Sequence, residues 1–257
     1  PGHRWSGVES YNLALGDLDG DGDLDMVLGY ALVYFEYTAT FPRYQMPNQQ
    51  PGWRDELATA RDWKSGAPAL VDLDNDGDLD LVLGENSCVD VSTTATGLYD
   101  SDCSWYYGGS SCGYYDDSDF KASELCCACG GGTGCAVSYF VNNGTVSSPQ
   151  FVAMTGSSNP FDGLEGLEVG MYSTPLFADV DNDGDVDLVL GDTSGTLKYF
   201  ENNGNSTAPV FIARVGGANP FASVDVHGRS APALVDYDKD GDLDLAVGCA
   251  NGTIVYY

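Results

Sequence analysis

The sequence predicts an all-β protein built from a repeated unit, and three observations lead to that prediction. First, an eight-residue block that ends in Ala-Leu-Val-Asp or a close variant recurs along the 257 residues. Second, each copy continues into an aspartate-rich turn and then a short apolar run that ends in glycine. Third, no window keeps a helical hydrophobic period over three turns.

Each repeat contains four short segments that have the composition of β-strands. The recurring block lies at residues 65–72, 172–179 and 229–236, with a looser copy at 10–17. The apolar runs after the turns end at Gly29, Gly84, Gly191 and Gly248. Aromatic segments follow at Tyr34, Tyr139, Tyr199 and Tyr256, and further apolar runs lie at 150–153 and 210–213. Four such runs, separated by Gly, Asn and Pro, predict a four-stranded antiparallel blade.

Blades of this kind stack radially, typically four to eight to a ring, so the chain is predicted to hold about four β-propeller blades. Their bounds are near residues 10–64, 65–171, 172–228 and 229–257. The second of these blades, at 65–171, is longer than expected by about one repeat. We assign the excess to a cysteine-rich insertion at 88–135, between the second and third strands of that blade. The fourth blade stops after its third strand, so we expect further repeats of the same chain, or other protein chains, to complete it.

The charge of the chain is extreme and is carried by aspartate. There are 39 acidic and 10 basic residues, for a net charge of -29, and 31 of the acidic residues are Asp. The charge disfavours nucleic acids and anionic membrane surfaces as partners, because binding phosphate needs clustered Lys and Arg and the 10 basic residues are scattered. No apolar run approaches the length of about 18 residues that membrane insertion needs. Asp is instead a turn-forming and metal-ligating residue.

Each of the four turns reads DxDxDGxxD with a fifth aspartate at position 7. The candidate ligands are Asp17, Asp19, Asp21, Asp23 and Asp25; Asp72, Asp74, Asp76, Asp78 and Asp80; Asp179, Asp181, Asp183, Asp185 and Asp187; and Asp236, Asp238, Asp240, Asp242 and Asp244. Carboxylates at positions 1, 3, 5 and 9, a backbone carbonyl at position 7 and a glycine for the sharp turn at position 6 predict one Ca²⁺ in each loop.

An EF-hand has the same opening but requires glutamate at position 12, where this chain has Leu28, Leu83, Leu190 and Val247. Ordinary hairpin turns are the other alternative, but they need one or two such residues and not five carboxylates in nine positions. Magnesium demands a stricter octahedron, and zinc would be expected with His or Cys ligands.

These loops resemble the FG-GAP or VCBS-type calcium repeats of integrin α-subunit propellers and of many secreted proteins. The resemblance covers all four repeats. It implies a propeller with calcium on the blade-edge loops and an adhesion, lectin-like or scaffolding role. Those propellers usually have seven blades, whereas four calcium motifs are present here, and the family hosts several functions.

The insertion is predicted to be held together by disulfides, which implies an oxidising compartment. Its cysteines are Cys88, Cys103, Cys112, Cys126, Cys127, Cys129 and Cys135, and the odd count permits Cys249 to pair with one of them. A zinc site on Cys126 and Cys129 is the alternative. The string CCACGGG is similar to a small cysteine-rich element of secreted algal and protist proteins, from which no activity follows.

Three sequons, at Asn143, Asn205 and Asn251, fall in predicted turns and are candidate glycosylation sites, although Asn-Gly is also simple turn chemistry. Calcium loops, cysteines and sequons together predict an extracellular or cell-surface protein that uses the secretory pathway.

We expect no catalytic activity, because His3 and His227 have no motif neighbours and no GxSxG motif is present. The predicted function is a calcium-stabilised structural or adhesion module of a larger extracellular glycoprotein or surface assembly. One alternative is a lectin-like propeller that binds glycans, and a third is a non-catalytic domain of a secreted polysaccharide-active enzyme. The candidate glycan contacts in the insertion, which could equally fill a disulfide knot, are Trp105, Tyr106, Tyr107, Tyr114 and Tyr115.

Overall fold

A computed structural model describes residues 12–29, 33–38, 43–45, 66–84, 96–100, 103, 114–122, 137–145, 149–162, 164 and 172–257. These residues form fifteen β-strands in four antiparallel sheets. The predicted all-β fold of blade-like sheets is confirmed. Within the described residues there is no helix of the length and hydropathy that a membrane span requires.

Each sheet is a meander in which every strand pairs with the next one in sequence, and each sheet is called a blade below. Blade 1 contains β1 (Leu13–Gly16), β2 (Asp25–Leu28), β3 (Val33–Thr38) and β4 (Arg43–Gln45). Blade 2 contains β5 (Ala67–Val71), β6 (Asp80–Gly84), β7 (Val137–Asn142) and β8 (Phe151–Met154). Blade 3 contains β9 (Thr174–Ala178), β10 (Asp187–Gly191), β11 (Leu197–Asn202) and β12 (Phe211–Arg214). Blade 4 contains β13 (Ser230–Val235), β14 (Asp244–Cys249) and β15 (Ile254–Tyr256).

In blades 2 and 3 the second strand is buried on both faces, which fits its continuous apolar run. In β10, Leu188 and Leu190 pack in a cluster shared with blade 2. Val189 lies between them in sequence and packs in a different cluster, shared with blade 4. Side chains alternate across a strand, so one strand supplies two inter-blade cores.

Among the described residues, three hydrophobic clusters lie between successive blades and form the core. The connections between blades contribute to them. Phe161, after β8, packs between blades 2 and 3, and Phe221, after β12, packs between blades 3 and 4. Each phenylalanine follows an Asn-Pro pair. The backbone N–H of the phenylalanine donates a hydrogen bond to the side-chain amide oxygen of that asparagine.

Adjacent blades approach each other closely at the glycine that ends the second strand. A β-carbon on Gly84 would lie 1.9 Å from the carbonyl oxygen of Ser173, and one on Gly191 would lie 2.3 Å from that of Ser230. Ser173 directly precedes the first strand of blade 3, and Ser230 begins the first strand of blade 4. A larger residue at either glycine would push two blades apart.

The connection from β6 to β7 spans residues 85–136, where the sequence predicts the insertion. In its described part, Phe120 and Ala122 are buried. Cys103 is disulfide-bonded, whereas Cys88, Cys112, Cys126, Cys127, Cys129 and Cys135 lie outside the described residues.

The expected disulfide at Cys249 is not formed, and this residue is a free cysteine. Cys249 ends β14 in blade 4, whereas the other cysteines belong in sequence to the connection of blade 2, and blade 3 lies between these two blades.

Candidate metal centres

The aspartate-rich loops connect the first and second strands of the four blades. The residue before position 1 pairs with the aspartate at position 9 in every blade, as in Val71 with Asp80 and Ala178 with Asp187. Position 1 thus directly follows one strand and position 9 begins the next. Pairing of the two strands closes the loop and holds its carboxylates at one end of the sheet.

The loop backbone turns sharply at positions 4 and 6. Position 4 has a left-handed conformation in every loop, and position 6 is always a glycine with φ between 90° and 100°. This conformation favours glycine because it has no β-carbon. In loop 3 the N–H of Gly184 donates to Asp179 Oδ2 over 3.0 Å, and the N–H of Asp183 donates to Asp179 Oδ1 over 3.1 Å. The turn orients the carboxylate at position 1 before any ion binds.

Each loop brings three carboxylates together, with one oxygen of each within 4.8 Å of the others. The clusters are Asp17, Asp19 and Asp25; Asp72, Asp74 and Asp76; Asp179, Asp181 and Asp183; and Asp236, Asp238 and Asp244. All twelve residues were predicted as ligands from the sequence. The clusters use positions 1 and 3 throughout, with position 9 added in loops 1 and 4 and position 5 added in loops 2 and 3.

The remaining predicted ligands lie outside these three-residue clusters. They are Asp21, Asp23, Asp78, Asp80, Asp185, Asp187, Asp240 and Asp242. The aspartate at position 7 uses its backbone N–H to bond the carboxylate at position 5, as Asp78 does to Asp76 over 2.9 Å. Its predicted contribution to the metal is a carbonyl oxygen, which this bond leaves available.

The aspartate at position 9 has a second role, which the sequence did not reveal. Asp80 is buried and accepts three hydrogen bonds: from the backbone N–H of Leu73, from the Tyr139 hydroxyl over 2.7 Å and from the backbone N–H of Asn142 over 2.8 Å. Asp80 therefore ties the loop to the third strand of its blade.

The same arrangement recurs in blade 3, where Asp187 accepts from the Tyr199 hydroxyl over 2.8 Å and from the N–H of Asn202. In blade 4 the Tyr256 hydroxyl donates to Asp244 over 2.7 Å. The signal present in the sequence is the spacing of twelve residues from Asp187 to Tyr199 and from Asp244 to Tyr256. In blade 2 the insertion lengthens the corresponding spacing, from Asp80 to Tyr139, to 59 residues, so the repeated spacing cannot be recognised there.

Burial shifts the titration of the Asp80–Tyr139 pair. Removal from water raises the pKa of Asp80 to about 6, although its hydrogen bonds act in the opposite direction. Burial and the adjacent Asp80 raise the pKa of Tyr139 far above its usual range. In blade 4 the hydroxyl of Tyr256 lowers the pKa of Asp244, because this aspartate stays partly in water and the hydrogen bond dominates.

The clustered carboxylates repel one another. Burial and the charges of Asp76 and Asp72 raise the pKa of Asp74, and burial with the charges of Asp187 and Asp183 raises that of Asp181. Two unit charges 4.8 Å apart, the upper limit of the oxygen separations within a cluster, repel by about 1 kcal/mol in bulk water. At an effective dielectric of 20 they repel by about 3 kcal/mol. Among the described residues, neither the ion pair of Arg214 with Glu201 nor the contact of His227 with Asp225 uses a loop carboxylate.

The donor set fits a hard cation. All clustered side-chain ligands are carboxylate oxygens, and further oxygens are available from the backbone and from water. Calcium takes six to eight oxygen ligands in flexible geometry, whereas zinc favours nitrogen and sulfur donors. A divalent ion bound at each cluster would remove the repulsion that the fold otherwise has to overcome.

The other predicted site residues are only partly described. Asn143, Asn205 and Asn251 are exposed, and the amide oxygens of Asn205 and Asn251 accept hydrogen bonds from the threonine of their own sequon. Tyr114 is exposed, and its ring meets that of Tyr115 edge to face at 5.0 Å. Trp105, Tyr106 and Tyr107 lie outside the described residues.

Comparison with known proteins identifies the repeat. Residues 179–247, which run from the metal loop of blade 3 to the second strand of blade 4, match the family model of the FG-GAP-like repeat.

Two solved structures show distant likeness. One concerns an Agrocybe aegerita lectin and its recognition of non-reducing terminal N-acetylglucosamine, with 17% identity, 94% of this chain and 61% of that chain covered, and a TM-score of 0.35. The other is the Photorhabdus luminescens Tc holotoxin pore, with 16% identity, 93% of this chain and 11% of that chain covered, and a TM-score of 0.25. The chain thus spans less than two thirds of either structure, and at these scores neither likeness bears on function.

Proposed function

We propose that this chain, an FG-GAP-type repeat protein over the matched residues 179–247, is a non-catalytic, calcium-stabilised structural or adhesion module of an extracellular glycoprotein or surface assembly. The observation that carries the proposal is the repetition of one carboxylate cluster at the same loop of four successive blades. A catalytic site is typically built once, whereas a stabilising site is useful in every repeat.

Calcium at these loops would stabilise whole blades and not only the turns. Asp80 begins β6, lies at position 9 of loop 2 and is hydrogen-bonded to Tyr139 on β7. A cation that fixes the loop would therefore also fix the junction of three strands. The buried Asp187 and Tyr199 give blade 3 the same coupling.

The exposed sequon asparagines and the disulfide-bonded Cys103 support an extracellular location, since disulfides persist in oxidising compartments. Glycans attached at Asn143, Asn205 or Asn251 would project into solvent from turns between strands.

Thermal unfolding with and without calcium tests the proposal. A site occupied at about 100 times its dissociation constant adds about 2.7 kcal/mol to the free energy of unfolding. Four such sites would contribute a large part of the 5 to 15 kcal/mol typical of a domain. We expect EDTA to lower the Tm by more than about 10 °C, calcium to restore it and calorimetry to count about four sites.

Asp179→Asn should remove one site, so the gain in Tm from EDTA to calcium should shrink by about a quarter of the wild-type gain if the sites contribute equally and additively. Asp162→Asn is the matched control, because Asp162 is exposed and lies in the connection after β8 and not in a metal loop. The proposal fails if calcium leaves the Tm of the wild type unchanged, or if Asp162→Asn reduces the gain as much as Asp179→Asn.

A further inference from the structure

The fourth metal loop differs from the other three in charge. Position 4 is Gly20, Asn75 and Asn182 in loops 1, 2 and 3, and it is Lys239 in loop 4. Lys239 is the only basic residue within the four loops, each of which holds five aspartates. Loop 4 therefore places a cation beside its carboxylates, whereas loops 1 to 3 do not.

The backbone gives no reason for a lysine at this position. The φ of position 4 is 71°, 59°, 62° and 63° in loops 1 to 4, so all four residues are left-handed. Glycine adopts this conformation freely, and asparagine does so more readily than residues with long side chains. Lysine is thus the least suited of the three residue types to this turn, and what it adds to the loop is its charge.

Loop 4 otherwise orients its first carboxylates as loop 3 does. The N–H of Asp240 donates to Asp236 Oδ1 over 3.1 Å and to Asp238 Oδ1 over 3.2 Å. In loop 3 the two corresponding bonds, from position 5 to positions 1 and 3, are both 3.1 Å long. The N–H of Gly241 donates to the carboxylate at position 1 over 3.2 Å, against 3.0 Å in loop 3. These bonds do not distinguish the two sites, whereas the charge at position 4 does.

The charge of Lys239 is not neutralised by a neighbouring side chain. Lys239 is exposed, and the described residues place no carboxylate within ion-pair distance of its ammonium. Arg214 interacts electrostatically with loop 3, but its guanidinium is hydrogen-bonded to Glu201, so that pair is neutral. Lys239 thus acts on its own loop as an unpaired cation between Asp238 and Asp240.

We propose that Lys239 makes loop 4 the weakest of the four calcium sites, so that this loop fills last as the calcium concentration rises. The inference rests on the proposed calcium binding of the loops and adds the order in which they fill. In bulk water a unit charge about 8 Å from a divalent ion interacts with it as strongly as two unit charges do at about 4 Å, which corresponds to about a fivefold change in affinity. Blade 4 would then respond to calcium at concentrations where loops 1 to 3 are already occupied.

Each loop has its own reporter, the glycine at position 6, whose N–H donates to the carboxylate at position 1. The amide signals of Gly22, Gly77, Gly184 and Gly241 are followed by NMR on the isotope-labelled full chain in calcium buffers, at about 0.01 M salt, where the screening length is about 30 Å. The midpoint of Gly241 should be the highest, about fivefold above that of Gly184. At about 1 M salt the screening length is about 3 Å, and the gap should shrink to less than about twofold.

Three variants assign the effect to the charge at position 4. Lys239→Gln removes the charge and keeps a long side chain, so the midpoint of loop 4 should fall by about fivefold. Asn182→Lys adds the charge to loop 3 at a position that is already left-handed, so the midpoint of loop 3 should rise by about fivefold. Lys198→Gln is the matched control, because it removes the same charge from β11 at the end of blade 3 away from loop 3. It should leave all four midpoints within about twofold of the wild type.

Thermal unfolding in EDTA checks that each variant is folded. The inference is overturned if the Gly241 midpoint is not the highest in the wild type, if Lys239→Gln leaves it unchanged, or if Lys198→Gln lowers it as much as Lys239→Gln does. A gap that persists at about 1 M salt would also overturn it, because screened charges cannot maintain such a gap. Four equal midpoints leave the proposed calcium binding intact. If calcium moves none of the four glycine signals and leaves the Tm unchanged, the proposed function itself fails, and the order of filling fails with it.

Discussion

Removal of one buried hydroxyl should show how strongly the metal loop is tied to its blade. Tyr139→Phe deletes the donor that lies 2.7 Å from Asp80 Oδ2. Tyr139 is 5% and Asp80 1% exposed, so water cannot readily replace the lost bond. A hydrogen bond to a charged group contributes about 1.5 to 3 kcal/mol. We expect the free energy of unfolding in EDTA to fall by about 2 kcal/mol.

Blade 4 offers a matched control for this substitution. Tyr256 donates to Asp244 over the same 2.7 Å, but Tyr256 is 56% exposed and water can take the place of its hydroxyl. Tyr256→Phe should therefore cost much less than Tyr139→Phe. Because the bond lengths are equal, the difference between the two variants isolates the effect of burial.

Urea denaturation followed by far-UV circular dichroism measures both losses, in EDTA and again in saturating calcium. Two-state behaviour is checked with tyrosine and tryptophan fluorescence, since multi-blade proteins can unfold in steps. Equal losses for the two variants, or wild-type stability for Tyr139→Phe, would refute the reasoning from burial.

Two further predictions concern the contact between blades and the titration of Asp80. Gly191→Ala should lower the free energy of unfolding by at least about 2 kcal/mol in denaturation, because its β-carbon would lie 2.3 Å from the Ser230 carbonyl oxygen; wild-type stability would contradict the close contact. The pKa of Asp80, about 6 in the folded state, exceeds its usual 3.8, so the folded state binds the proton more tightly than the unfolded state. Stability in EDTA should therefore fall as pH rises from about 4 to about 6, by up to about 3 kcal/mol. Asp80→Asn should remove this component, and an unchanged pH profile for that variant would assign it to another group.

The strands and the loops could be predicted from the sequence because their signals are local. The run 79–84 combines alternating leucines with a terminal glycine, and the structure places its residues 80–84 in a strand buried on both faces. Positions 1 and 3 of every loop lie in a carboxylate cluster, as their spacing predicted. Such patterns depend on residues a few positions apart, so they are visible without the rest of the molecule.

Other features depend on residues that are distant in sequence. The bond from Tyr139 to Asp80 spans 59 residues, and no local pattern indicates that an aspartate assigned to a metal also anchors a third strand. The disulfide expected at Cys249 rested only on the odd number of cysteines in the insertion. That number does not reveal that blade 3 separates Cys249 from the insertion, and the residue is a free cysteine.

The sequence by itself determined the repeat, the all-β blades and the four acidic loops, because strand alternation and turn chemistry are encoded within a few residues. Only the tertiary structure decided which face of each strand meets which neighbour. That choice makes Asp80 a buried carboxylate and Asp244 a partly exposed one at the same position of the repeat. The physical reason is that burial depends on how a side chain packs against the neighbouring blades and not on the residue alone.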